Sequence, residues 1–362
     1  MTAPPDLSKL SPDARRELLA KMLASRTAQA DALSPCSYSQ RSLWFMHQLA
    51  PTSSVYNVAT AWRIRSAIDA KAMHRAFQAV VDRHEALRTT FESREGEPWQ
   101  RVHARLADGF QTRVVGACDE AELMTMLVDD AKQPFNLETG PLLRATLFTR
   151  NETDHVLLVV IHHIACDLWS VEHILDDLRV LYRKESHPES DALSAQAPGR
   201  YRDFVGWQRA MLDGPEGEAH WQYWREKLRG NLPRLELPTD RPRPAVQSFV
   251  GDGVVFPIPT DLVAELRRYA TNEGTTLFTV FLAAYQSLLV RYSGQDGVLV
   301  GSVTSGRSRR EFEPMVGYFV NPIIFRCDTS DDPTFRDLLN RTRVDVLDAL
   351  DHQDYPFPLL VE

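Results

Sequence analysis

The sequence predicts a mixed α/β protein organised as two subdomains. Three observations carry this. The chain has 362 residues, more than one simple hydrophobic core ordinarily serves. Strand-period and helix-period apolar patterns alternate both before residue 186 and after residue 246. Between them, Pro188, Pro198, Pro215, Pro233, Pro238, Pro242 and Pro244 punctuate a stretch that reads as a crossover. The chain is therefore divided into an N-terminal extension (1–32), an N-terminal subdomain (33–185) and a crossover with a C-terminal subdomain (186–362).

The elements follow in order. Residues 8–31 read as an amphipathic helix. Ser11-Pro12 supplies a cap and a first-turn proline, and Leu18, Leu19, Met22 and Leu23 form a short apolar stripe. Packing on its own domain and docking to an upstream protein are both open for this helix. Val58, Thr60, Trp62 and Ile64 alternate with Ala59, Ala61, Arg63 and Arg65, which is strand periodicity. Asp69 caps a helix with Met73, Phe77, Val80 and Val81 on its apolar face. A strand follows near Thr89 to Phe91. Leu142 to Thr149 and His155 to Ile161 flank the turn Asn151-Glu152-Thr153-Asp154 and predict a hairpin. Val171, Ile174, Leu175, Leu178, Leu181 and Tyr182 then mark one face of a helix. The crossover holds helices over about 201–212 and 219–228. The second half predicts a strand near Val254 to Ile258, a helix from Thr260 stopped by Gly274, and a helix from Leu277 to Tyr292. A strand over Val298 to Val303, a second strand after Asn321 and a helix over Thr334 to Leu350 complete it.

Composition excludes several classes of function. Apolar residues make up 43% and charged residues 25%, an ordinary soluble balance. A net charge of −8 with no Lys/Arg-dense run argues against nucleic acid as a partner. No apolar run reaches membrane-spanning length and Met1 to Leu10 lacks a signal-peptide core, so a cytoplasmic protein is expected. Cys36, Cys118, Cys166 and Cys327 are scattered with no CxxC pair, which predicts reduced thiols rather than a disulfide framework or a thiolate metal site.

The chemistry concentrates at Ile161-His162-His163-Ile164-Ala165-Cys166-Asp167. The two histidines end an apolar strand, and neighbours on a strand face opposite ways, so only one can face a given cleft. An imidazole titrates near neutral pH and can take a proton from an amine or hydroxyl nucleophile. Asp167 stands at the N-cap of the following helix and organises the loop. Two core histidines with a helix cap is the bland alternative. No metal is expected, since adjacent strand histidines cannot easily share an ion.

Six segments in order carry a resemblance. They are Ser37-Tyr38-Ser39-Gln40-Arg41-Ser42-Leu43-Trp44-Phe45, Arg83-His84-Glu85-Ala86-Leu87-Arg88-Thr89-Thr90-Phe91, His162 to Asp167, Tyr201-Arg202-Asp203-Phe204-Val205-Gly206-Trp207-Gln208, Val316-Gly317-Tyr318-Phe319-Val320-Asn321 and His352-Gln353-Asp354-Tyr355-Pro356-Phe357. Across nearly its whole length the chain resembles the condensation domains of nonribosomal peptide synthetases. The resemblance implies two chloramphenicol-acetyltransferase-like subdomains forming a V with a central tunnel. Donor and acceptor carrier proteins would approach it, each presenting its substrate on a phosphopantetheine arm. That arm belongs to the carriers, so no intrinsic cofactor is implied. The motif match makes His163 the catalytic residue, with His162 holding the loop and Asp167 structural, paired with Arg83 or Arg88. Trp169, Ser170 and Asn321 are candidates for substrate contact, and Ser170 and Asn321 also for oxyanion donation. An upstream synthase is the partner proposed for the N-terminal helix.

Three features depart from the family pattern. Leu168 stands where glycine usually follows the motif aspartate, and Pro322 where threonine usually follows the asparagine. Asp167-Leu168-Trp169-Ser170 resembles a subset associated with mixed polyketide and peptide assembly lines, and both changes point away from an ordinary α-amino acid acceptor. The family also continues beyond the sixth motif, so the C-terminal subdomain is read as incomplete at Glu362. The function expected is transfer of a carrier-bound acyl or peptidyl group onto an amine or hydroxyl. The rival readings are a noncatalytic carrier-binding platform and a stand-alone acyltransferase using a soluble thioester. A heterocyclising variant is disfavoured because it would replace the histidines with aspartates.

Overall fold

The computed structural model describes residues 33–106, 109–186, 199–245, 247, 249 and 251–362. The amphipathic helix expected over residues 8–31 lies outside the described residues. The chain divides into two compact units. The first comprises residues 1–206 and 309–318, the second residues 207–308 and 319–362.

The first unit is built on two sheets. β1 (Leu33–Pro35), β4 (Glu97–Val102) and β3 (Thr89–Arg94) form one, in the order β1-β4-β3. β2 (Asn57–Ile64), β7 (Asp154–His162), β6 (Leu143–Asn151) and β5 (Phe110–Val114) form the other, in the order β2-β7-β6-β5. β6 and β7 make the expected hairpin, and Asn151 Oδ1 accepts from the Thr153 amide at 3.0 Å within its turn. Every residue of β7 after Asp154 is buried, as expected of a central strand. β5 runs parallel to β6, and α3 (Glu120–Ala131) lies between them in sequence. The sequence reading did not anticipate α3, although Asp119 and Glu122 form a capping box at its start.

α2 (Ala70–Arg83) begins where expected, with Asp69 Oδ1 accepting from the amides of Lys71 and Ala72. It buries Met73, Phe77, Val80 and Val81. Those side chains share one core with Val171, Ile174 and Leu178 of α4 (Leu168–Ser186) and the inner faces of β6 and β7. α1 (Tyr38–Leu49) adds Leu43 and Trp44 to the same core. α5 (Tyr201–Leu212) matches its predicted span.

The second unit holds α6 (Pro215–Lys227), α7 (Thr260–Asn272), α8 (Leu277–Ser293), β8 (Gly297–Thr304), β9 (Asn321–Asp328), α9 (Phe335–Asp351) and α10 (Phe357–Val361). β8 and β9 pair antiparallel, and Pro322 sits opposite Val303. The expected strand at Val254 to Ile258 does not form. Val254, Val255, Phe256 and Ile258 are all exposed and the segment has no regular structure. A short apolar run alone supplies no pairing partner, and the described sheet of this unit contains β8 and β9 only.

Candidate active site

The double histidine lies where β7 gives way to a single 3₁₀ turn, His163–Ala165. The His162 amide donates to Leu142 O on one neighbouring strand at 3.0 Å. The His163 amide donates to Tyr56 O on the other side at 2.8 Å. The two rings meet different neighbours. The His162 ring is buried among His47, Tyr56 and Phe135, with ring centroids 5.9, 6.3 and 6.0 Å away. Its Nδ1 accepts from the Ile164 amide at 3.1 Å and so pins the turn. Burial, reinforced by His47 and His163, pushes its pKa down to about 3. His162 is therefore neutral at physiological pH and acts as a hydrogen-bonding strut.

His163 is half-buried, and its ring meets Tyr318 edge-on at 4.8 Å. Its Nδ1 lies 2.7 Å from Cys166 O. A carbonyl oxygen only accepts, so Nδ1 carries the proton and the lone pair resides on Nε2. The turn thereby sets the tautomer that a general base needs. Cys166 itself is fully buried, and burial holds its thiol well above the usual range. A thiol kept protonated there is a packing group, not a nucleophile.

Asp167 is completely buried and caps α4. Its Oδ1 accepts from the Ser170 amide and hydroxyl, each at 2.7 Å. Ser170 Oγ lies 2.9 Å from Gly317 O and accepts from the Gly317 amide at 3.0 Å. Ser170 therefore ties the motif loop to the segment carrying Tyr318 and does not face a substrate. Its hydroxyl proton is shared between two protein acceptors, which removes it as an oxyanion donor. Asn321 is held similarly in the second unit. Its Nδ2 donates to the carbonyls of Gln353 and Tyr355 at 2.8 and 2.7 Å, and Oδ1 accepts from the Phe357 amide at 2.9 Å. Both its N–H groups are engaged, so its role is to bracket the sixth motif. Trp169, 48% exposed, is the one substrate-contact candidate on an open surface.

The resemblance pairs Asp167 with Arg83 or Arg88. The described ion pairs of these arginines run to Asp177 (2.8 Å) and to Glu85 (3.7 Å). His84 joins Asp177 at 2.8 Å. Burial alone would raise the Asp177 carboxyl, but His84 and Arg83 outweigh it and hold it below its usual value. Glu85 also accepts from Arg202 of the fourth motif at 3.0 Å.

Leu168 does not need to be glycine. It is the first residue of α4, its φ is not positive, and its side chain is 62% exposed. Gly317 does need to be glycine, since a Cβ there would overlap the Tyr201 ring. Tyr201 Oη in turn donates to Tyr318 O at 2.5 Å and lies 2.9 Å from Ser37 Oγ. Gln40 Nε2 reaches Ile164 O at 3.2 Å. Segments far apart in sequence thus converge on one turn. Sequence reasoning did not assign roles to Tyr56, His47 or Tyr318. Tyr318 lay within the fifth motif, while Tyr56 lies outside all six and contributes both its carbonyl and its ring.

Comparison with known proteins gives the family. Residues 31–362 match the model of the condensation domain. A linear gramicidin synthase of Brevibacillus parabrevis is 42% identical over 91% of the chain, which spans 4% of that synthase. Chondramide synthase cmdD of Chondromyces crocatus is 40% identical over 92% of the chain, which spans 8% of it. Among solved structures, the X-domain from teicoplanin biosynthesis superposes with a TM-score of 0.82 at 27% identity, covering 90% of this chain and 72% of that one. SgcC5 from Streptomyces globisporus gives 0.75 at 28%, covering 91% and 75%. With the family model matched over residues 31–362 and relatives at 40% identity and above over nine-tenths of its length, this chain is a member of the condensation domains.

Proposed function

We propose that this domain transfers an acyl or peptidyl group from a carrier-protein thioester onto an amine or hydroxyl acceptor, with His163 as general base. The observation that carries the reading is the Nδ1–H of His163 engaged by Cys166 O, which leaves Nε2 as a lone-pair acceptor. The acceptor attacks the thioester carbonyl as its proton passes to Nε2. A C–N or C–O bond forms, the C–S bond breaks, and the departing thiolate recovers a proton. A thioester is already activated, so no covalent enzyme intermediate is required, and positioning of two tethered substrates supplies much of the rate. The phosphopantetheine arms belong to the carriers and no cofactor is intrinsic. Trp169, exposed at the start of α4, is the residue assigned to substrate contact.

Membership of the condensation domains favours an amine. SgcC5, solved with a naphthyl ethanediol, keeps a hydroxyl acceptor in view. The test loads an acyl group on a carrier protein, offers amine and alcohol acceptors, and follows product by intact mass. His163→Ala should abolish turnover, and undiminished turnover in that variant overturns the base assignment. The teicoplanin X-domain has been solved in complex with OxyB, which favours a second reading as a recruitment platform. That reading predicts carrier binding with no product from any acceptor. Turnover with a soluble thioester and no carrier would instead support a stand-alone acyltransferase.

A further inference from the structure

The second unit gathers a different set of ligating groups. Glu216 and His220 stand one helical turn apart on α6, and Asp354 comes from the loop after α9. One donor atom from each lies within 4.8 Å of the others. Two oxygens and one nitrogen in that arrangement suit a first-row divalent ion with three protein ligands and an open position. The spacing of Glu216 and His220 places both on one helix face, as two-point metal chelation from a helix demands.

The second observation is the state of the His220 ring. The residue is only 7% exposed. Its Nδ1 lies 2.9 Å from His352 Nδ1. Its Nε2 is buried without a hydrogen-bond partner among the described residues. A buried polar atom left unsatisfied is costly, and native folds rarely keep one without a reason. A metal ion coordinated by Nε2 supplies that reason. His352 then does what an outer partner of a ligating histidine does, accepting the Nδ1–H and fixing the tautomer. His352 is itself held by stacking on Tyr223 at 4.0 Å and through its carbonyl, which accepts from Trp224 Nε1 at 2.9 Å.

We infer that Glu216, His220 and Asp354 bind a divalent transition-metal ion that clamps the 352–356 loop onto α6. To close around an ion with arms of about 2.1 Å, the donors draw in to about 3.4 Å, the edge of a tetrahedron. The exposed Glu216 side chain is free to make that movement. The ion fastens from the α6 side the loop that Asn321 brackets through the carbonyls of Gln353 and Tyr355.

The test uses the full chain, stripped with a chelator and titrated with ZnCl₂ in a calorimeter, with MgCl₂ as a parallel arm. The expected result is one saturable Zn²⁺ equivalent, no saturation by Mg²⁺ at the same concentrations, and a rise in Tm of about 5 °C or more at saturating zinc. Glu216→Gln alters an exposed side chain, so the protein should stay folded by circular dichroism. It should bind Zn²⁺ at least 10-fold more weakly, and His220→Ala should lose the equivalent. His163→Ala should retain it, which separates this site from the double histidine. Absence of saturable uptake, uptake unchanged in both Glu216→Gln and His220→Ala, or uptake lost in His163→Ala overturns the inference.

Discussion

Acidification offers a direct probe of the His162 strut. In the unfolded chain its imidazole takes a proton near pH 6.5. In the fold, burial delays that step to about pH 3. Between those values the unfolded chain binds one more proton, so stability falls as the pH falls. At pH 5 the gap is about 1.5 pH units at about 1.4 kcal/mol each, or about 2 kcal/mol lost from this residue relative to pH 8. His162→Gln keeps a side-chain acceptor for the Ile164 amide and removes the titration. Wild type and variant are unfolded in urea at pH 8, 7, 6 and 5 and followed by near-UV circular dichroism. The stability difference between them should shrink by about 2 kcal/mol on going to pH 5, nearly all of it below pH 6.5. A difference that stays constant across the series would show that His162 titrates alike in both states, and the strut assignment would fail.

Three other outcomes follow from the same geometry. Ser170→Ala strands the Gly317 amide and one oxygen contact of Asp167, and should cost about 2–3 kcal/mol in urea unfolding. Leu168→Gly touches an exposed first-turn side chain with an ordinary backbone, so its cost should not exceed about 1 kcal/mol by the same measurement. Cys166 is sealed and its thiol is held protonated, so a disulfide-exchange reagent at pH 8 should leave it unmodified in the native chain and label it only in denaturant, as read by peptide mass.

Local signals were legible wherever the chain itself enforces them. Asp69 caps α2 because its side chain reaches the amides two and three residues on, which sequence spacing already encodes. The β6–β7 hairpin was visible for the same reason. Val254 to Ile258 misled because a short apolar run marks a segment that could be a strand and says nothing of its edge partner. Ser170 and Asn321 looked available as donors because their residue types can donate. Their engagement depends on Gly317, Gln353 and Tyr355, which lie far away in sequence or across a turn. The cluster of Glu216, His220 and Asp354 was invisible for a related reason, since its third member arrives from a distant stretch of the chain.

The short return of the chain to the first unit bears on how such domains can be recombined. After leaving at Gly206 the chain comes back for residues 309–318 alone, and that decapeptide delivers Gly317 to Ser170 and the Tyr318 ring to His163. A chimera joined at a single point in the crossover would therefore inherit its base from one parent and the neighbour that flanks it from the other. Exchange of a whole functional half requires two junctions more, one on each side of Arg309 to Tyr318, so that the decapeptide travels with the histidines it serves.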